Sequence, residues 1–257
     1  MPLTKGNQQI YTHLAKVYDE VMKDIDYEDW ADFIDAVIIK HNEDAATILE
    51  LACGTGSLAL SLDELDCYNI TATDVSEQML EVAEQKASFK DATITWKKID
   101  FFNIDIDDKF DVVLMLFDSL NYIKDPDSIV QMLHQVRNVL NEDGFFIFDF
   151  TTPQHSSKYA EMMNDQGITH DNYRFVRISR YLDTEGVHYN EFTIEKLSDD
   201  KSTVLERKNE VHVQRTYRLD DIRSVVKSAG FEIIAEYDGL DLEPATTNSD
   251  RITMVIK

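Results

Sequence analysis

The chain has 257 residues, with 49 acidic against 25 basic side chains and a formal net charge of -24. That length suits one α/β domain with an elaboration, and that charge repels phosphate backbones and anionic membranes, so neither nucleic acid nor a membrane is expected as a partner. Cys53 and Cys67 make no disulfide framework and no N-terminal apolar stretch reads as a signal or membrane span, so a reduced, cytoplasmic setting is expected. Residues 8 to 23 place Ile10, Leu14, Val17 and Val21 at helical spacing beside Tyr11 and Tyr18, which predicts an amphipathic helix with a break near Tyr18. A second helix follows, with Trp30, Phe33, Ile34, Val37 and Ile38 in one stripe; on pattern alone its Trp and the nearby tyrosines are packing residues. From Ile48 to Leu60 a short apolar run meets Gly54 and Gly56 and turns helical. This reads as a buried strand, a tight turn and a new helix whose backbone N–H groups face a ligand.

Asp74 closes the next strand-like run, Asn69 to Asp74, 20 residues after Gly54. At that offset a carboxylate can hydrogen-bond both ribose hydroxyls of a nucleoside. Glu50, inside the turn region, would repel a pyrophosphate and favour a ligand with positive charge. An acidic residue followed by Gly-x-Gly, here Glu50-Leu51-Ala52-Cys53-Gly54-Thr55-Gly56, resembles the first motif of the class I S-adenosylmethionine-dependent methyltransferases. Ala52 stands where many members have another glycine. The resemblance implies S-adenosylmethionine as cofactor and S-adenosylhomocysteine as product. The fold it implies is a doubly wound, seven-stranded Rossmann-like sheet, with Glu50, Ala52, Cys53, Gly54, Thr55, Gly56 and Asp74 at the cofactor. The N-terminal segment is similar to that of small-molecule methyltransferases of the glycine N-methyltransferase type, where a Tyr-Asp pair, then Tyr and Trp, fold over the cofactor. Tyr18-Asp19, Tyr27 and Trp30 match it. Residues 1–45 are thus expected to be a helical cap and 46–257 the methyltransferase core.

Ser76 is a plausible cap of a helix carrying Met79, Leu80, Ala83 and Ala87, and Val75 and Met79 are placed to pack on an adenine ring. The alternating run Ala92 to Asp100 reads as a strand ending in a carboxylate; the resemblance gives Asp100 the adenine amino group, with Phe101 beside it. Phe110 to Phe117 is almost continuously apolar, as a central parallel strand should be, and opens into Asp118-Ser119-Leu120-Asn121-Tyr122. Ligands of doubly wound sheets lie outside the carboxyl ends of the strands. Leu116, Phe117 and Asp118 are therefore expected at the cofactor, with Asp118 or adjacent carbonyls on its ammonium, and Asn121 and Tyr122 toward the acceptor. Asp125-Pro126 opens a helix striped by Ile129, Leu133, Val136 and Leu140; Asn141 to Gly144 should stop it before a strand over Phe145 to Phe150.

From about 173 to 218 the pattern changes to three strand-like runs, Tyr173 to Leu182, Val187 to Leu197 and Val204 to Arg218. They predict an inserted antiparallel β subdomain that roofs the crevice. It carries nine basic and eight acidic side chains, close to neutral in a strongly acidic chain. His212, Gln214 and Thr216 share one face: either a polar pocket wall with His212 as general base, or a solvated face opposite Val211 and Val213. A helix from Asp221 to Ala229 and runs over Phe231 to Tyr237 and Arg251 to Ile256 complete the sheet with an edge hairpin. The expected activity is in-line methyl transfer to a small-molecule N or O acceptor, with Tyr122, His212 and Asn121 as catalytic candidates, no metal, and a monomer or homodimer. The alternatives are a protein or RNA methyltransferase and a non-catalytic S-adenosylmethionine-binding protein.

Overall fold

The computed structural model describes residues 10–257. A 3-10 turn, Leu14–Lys16, precedes the short helix α1 (Tyr18–Val21) and helix α2 (Tyr27–His41). Strand and helix then alternate: β1 (Thr47–Leu51), α3 (Ser57–Asp63), β2 (Asn69–Asp74), α4 (Glu77–Lys90), β3 (Thr95–Lys98), β4 (Phe110–Met115), α5 (Pro126–Val139), β5 (Leu140–Thr151) and α6 (Pro153–Tyr159). Four strands follow, β6 (Asp165–Ile168), β7 (Tyr173–Leu182), β8 (Val187–Leu197) and β9 (Val204–Arg215), before α7 (Leu219–Ser228), β10 (Ile233–Asp238) and β11 (Arg251–Ile256).

Seven strands make one sheet in the order β10-β11-β5-β4-β1-β2-β3, and only β11 runs against the rest. The apolar run of β4 is explained by its central place: Val112, Val113, Leu114 and Met115 are fully buried, packed under α5 and α7 on one face and α2 and α3 on the other. Each such side chain contributes about 1.5–3 kcal/mol of burial. β1 and β4 are neighbours whose onward connections leave in opposite directions, to β2 and to β5, so a crevice opens above their carboxyl ends.

The remaining strands form a four-stranded antiparallel sheet, β6-β7-β8-β9. The sequence predicted three. β6 has no apolar alternation to announce it, and its Gly167 is required by packing, since a Cβ there would lie 2.6 Å from the Phe175 ring. β9 stops at Arg215 because the Thr216 N–H turns to the Gly186 carbonyl and Arg218 becomes the residue before α7. Asn141 to Gly144 does not form a stop of its own: α5 ends at Val139 and these residues already belong to β5, with a register shift where β5 meets Phe110 and Val112.

The expected helix over 8 to 23 is not continuous either; residues 8 and 9 lie outside the described residues. Tyr11 has a φ of 65° and Val17 a ψ of -1°. The reason lies far along the chain: the N–H groups of Tyr11, His13 and Leu14 donate to the Glu210 carboxylate instead of to helical carbonyls. Leu14 and Val17 pack on Phe175, Phe192 and Ile194, so this segment belongs to the antiparallel sheet rather than to the parallel one.

Candidate active site

The turn after β1 is left-handed at three residues, Ala52 (φ 56°), Gly54 (φ 56°) and Gly56 (φ 72°). Gly56 is fixed by packing, because a Cβ would sit 2.4 Å from the Trp96 ring. The Gly54 N–H donates to Asp74 Oδ2 at 2.9 Å, and Asp74 Oδ1 accepts from the Ser76 N–H at 2.7 Å, so this carboxylate ties the ends of β1 and β2 together. Burial raises the Asp74 pKa, against the backbone donors of Ser76, Gly54 and Val75 that lower it. Glu50 is buried, and its Oε2 has no partner among the described residues. Burial first, and the Asp74 charge second, push its carboxyl up to about 8.

Both acids line one cavity, whose floor is Ala52, Cys53, Gly54 and Thr55. Val75, Met79 and Phe101 form its far wall, and Tyr11, Tyr18 and Tyr27 its lid. A buried carboxylate with a bare oxygen is completed by a cation or a hydroxyl donor, whereas a phosphate would meet two acids. The residues therefore fit an adenosyl group bearing positive charge. Asp19 latches the lid: it accepts from Thr55 Oγ1 at 2.6 Å and from Lys86 Nζ at 3.0 Å.

A second cavity lies between α1, the carboxyl ends of β4 and β5, and the inner face of the antiparallel sheet. Arg177, His188, Asn190, His212 and Gln214 line it, with Trp30, Asp118 and Arg251 opposite. His212 is 1 % exposed and Val211 is 49 % exposed, so the polar face of β9 points inward, not to solvent. Tyr11, Tyr18, Phe117 and Tyr122 line both cavities and mark where they meet. Phe117 and Asp118 both adopt left-handed backbone (φ 57° and 52°), a strained turn that brings this corner to the junction.

Residues 48–144 match the family model for a methyltransferase domain. The YqeM protein of Bacillus subtilis, described as a methyltransferase, is 30% identical over 250 residues, 95% of each chain. This chain belongs to the S-adenosylmethionine-dependent methyltransferases. A solved structure of one such enzyme, from Clostridium acetobutylicum, is 28% identical, covers 95% of this chain and 97% of its own, and superposes with a TM-score of 0.78. The CcbJ methyltransferase of Streptomyces caelestis shares the fold at 20% identity, covering 97% of this chain and 98% of its own, with a TM-score of 0.76.

In this methyltransferase a chain of hydrogen bonds leaves the junction. The Tyr11 and Tyr122 hydroxyls are 2.6 Å apart, Tyr122 Oη is 3.0 Å from His212 Nδ1, and His212 Nε2 is 3.3 Å from Glu210 Oε2. Burial works to raise the Glu210 pKa, but its bonds from His212 and from the backbone of His13 and Leu14 outweigh that and hold it below the ordinary value. An ionised Glu210 accepts a hydrogen bond from the Nε2–H of His212, which leaves Nδ1 as acceptor for Tyr122. Burial raises the pKa of both tyrosines, so each stays a neutral hydroxyl.

The methyltransferase departs from its sequence reading at six residues. Asp100 does not line the cavity; its Oδ1 accepts from the Phe102 N–H at 2.9 Å in a local turn, and Phe101 alone reaches the wall. Leu116 is buried in the core, and Gly56 serves Trp96 packing rather than a ligand surface. Asp118 faces the second cavity, and its carboxylate is already taken by Arg251 and Gln214, so it has no free oxygen pair for an ammonium. Asn121 is fully buried as a staple, bonding the Thr151 and Arg215 carbonyls and the Thr151 N–H, and faces no acceptor. Trp30 packs 4.4 Å from Phe117 and lines the second cavity, not the first. Tyr11, Glu210, Arg177 and Arg251 were not among the expected site residues. Glu210 was within reach, two residues before His212 on the same strand face.

Proposed function

We propose that this methyltransferase holds S-adenosylmethionine in the cavity of Glu50 and Asp74 and methylates the amine of a small molecule in the second cavity. The bound cofactor supplies a methyl group on a sulfonium, activated for in-line displacement. Glu50 and Asp74 offer acceptors to the positive charge and the ribose hydroxyls, Val75, Met79 and Phe101 an apolar bed for the adenine, and Tyr11, Tyr18 and Tyr27 keep water out. Holding two reactants in near-attack geometry lowers a barrier by about 7–11 kcal/mol, so no metal or covalent nucleophile is needed.

The observation that carries the amine assignment is the Tyr11–Tyr122–His212–Glu210 chain starting at the junction. An amine arrives as an ammonium and must lose a proton before its lone pair can attack. Tyr122 can pass that proton to His212 Nδ1, and Glu210 stabilises the resulting imidazolium. The near-neutral roof and the enclosed second cavity favour a small acceptor over protein or RNA. KedS8 from Streptoalloteichus, which shares this fold at 19% identity, is named a sugar N-methyltransferase, and that is consistent with an amine acceptor here.

The test is His212→Asn with an amine acceptor found by screening for S-adenosylhomocysteine release. Its kcat should fall about 100-fold or more near neutral pH, and the deficit should shrink as pH approaches the acceptor's own pKa. An equal deficit at every pH would remove His212 as the base, and turnover of hydroxyl compounds alone would remove the amine.

A further inference from the structure

We propose that the methylated amine carries an apolar body, a hydrocarbon chain or ring, that runs from Tyr122 to the mouth of the second cavity and ends on Met22, Ile25 and Leu240. This rests on the amine assignment above and adds the part of the acceptor that does not react. The second cavity encloses about 490 Å³, within the roughly 300–1,000 Å³ of pockets that bury drug-sized ligands. A short polar amine held at Tyr122 would leave most of that space to water.

The polarity of the walls runs opposite to what contact with solvent would produce. The buried end is polar, formed by His188, Asn190, His212 and Gln214. Three of these already have partners inside the protein: His188 has the Ser156 and Ser179 hydroxyls, His212 has Tyr122 and Glu210, and Gln214 has Asp118. The mouth, where water has access, is apolar: Ile25 is 37 % exposed and Leu240 36 % exposed, and half-buried Met22 is on the same wall.

Single exposed apolar side chains are ordinary on a protein surface. These three differ in two respects. They come from the α1–α2 turn and from the turn after β10, distant parts of the chain, and line one cavity. None of them joins an apolar core among the described residues, although Val21, the neighbour of Met22, packs against the core of Leu14 and Phe175. Apolar surface left uncovered at the entrance of a substrate cavity is completed by apolar surface of the substrate. The rest of the wall includes the rings of Trp30, Phe117 and Phe192, which suit a hydrocarbon, and the thioether of Met163, which adapts to its shape. The net charge of -24 draws an ammonium in head first, so the amine reaches Tyr122 while the apolar body trails to the mouth.

The test is the series of straight-chain alkylamines from ethylamine to octylamine, which differ little in basicity, assayed by S-adenosylhomocysteine release. KM should fall about three- to fourfold per added methylene until the mouth is filled. The kcat should stay nearly constant, because hydrocarbon buried away from the reacting atoms binds ground and transition states alike. A hydroxyl at the far end of the chain should cancel the gain. Changing Ile25→Ser and Leu240→Ser together should flatten the series and leave both KM for ethylamine and S-adenosylmethionine affinity unchanged, since neither residue lines the first cavity. A KM independent of chain length, or a slope that survives the paired change, would overturn the proposal; a survived slope with an altered oligomeric state would give the mouth to a second copy of the chain. Straight-chain alcohols need no proton removal and so separate this from the amine reading. In the S-adenosylhomocysteine complex they should quench or shift Trp30 fluorescence at concentrations that fall along the series in the wild type and not in the paired variant. That result with no amine methylated would contradict the amine reading and leave the apolar subsite standing; alcohols that bind without length dependence, or not at all, would overturn the subsite.

Discussion

The two cavities are built in opposite ways. The first is made by one stretch of backbone, the left-handed turn of Ala52, Gly54 and Gly56, and by two acids at adjacent strand ends. The second is assembled from side chains contributed by the N-terminal segment, the ends of β4 and β5, and three strands of the antiparallel sheet, and it brings arginines and imidazoles into a chain of net charge -24. A site that must recognise one invariant cofactor is written locally in backbone; a site that selects an acceptor is distributed over elements able to change independently.

If that contrast is right, the second cavity is where single substitutions cost most in stability. Arg251→Met strands Asp149, which is fully buried, and Asp118, and should destabilise the protein by about 3–5 kcal/mol in denaturant titrations at neutral pH. Burial, against the Arg251 charge, pushes Asp149 up to about 6, so the stranded group can take a proton in mild acid. The loss should accordingly be smaller at pH 5 than at pH 8; an equal loss at both would mean that packing, not charge, holds this corner.

Asp74→Ala strikes the first cavity. It removes the acceptor of two backbone N–H groups and of the ribose, and calorimetry should show S-adenosylmethionine affinity falling about 100-fold. A loss below fivefold would place the nucleoside elsewhere.

Glu50 predicts a pH dependence. Its folded pKa, about 8, lies above its ordinary 4.5, so the free protein carries it mostly protonated at pH 7. The folded state then binds that proton more tightly than the unfolded one, and the stability of the free protein falls as pH rises from about 4.5 to 8. A cationic cofactor favours the ionised form, so its affinity should rise with pH by up to about tenfold per unit, level off above 8, and be accompanied by proton release. Glu50→Gln should flatten both curves. Ala52→Gly is the smallest effect: relieving an alanine at φ 56° should stabilise the protein by about 1 kcal/mol, seen as a small rise in Tm.

Legibility follows the same division. Gly54 and Asp74 are 20 residues apart, one in the turn after β1 and the other at the end of the neighbouring parallel strand β2, an offset that lets sequence alone place both in one cavity. The parallel α/β character of the sheet was readable too, from strands alternating with helices. His212 and Tyr122 are 90 residues apart, and what joins them is the docking of the antiparallel sheet over the β4 corner, a contact no local pattern encodes. Asn121 and Asp118 were read correctly as polar residues at a strand end, but their partners, Arg215, Gln214 and Arg251, arrive from sequence 94 and more residues away and consume them. Without those partners in view, a satisfied polar group and a reactive one look alike.

The most direct measurement is a crystal structure of the S-adenosylhomocysteine complex with the thioether sulfur located by its anomalous signal. The sulfur should lie where the two cavities meet, among Tyr11, Phe117 and Tyr122, with the ribose on Asp74. A sulfur sealed from the second cavity, or a nucleoside bound away from Glu50 and Asp74, would contradict the account.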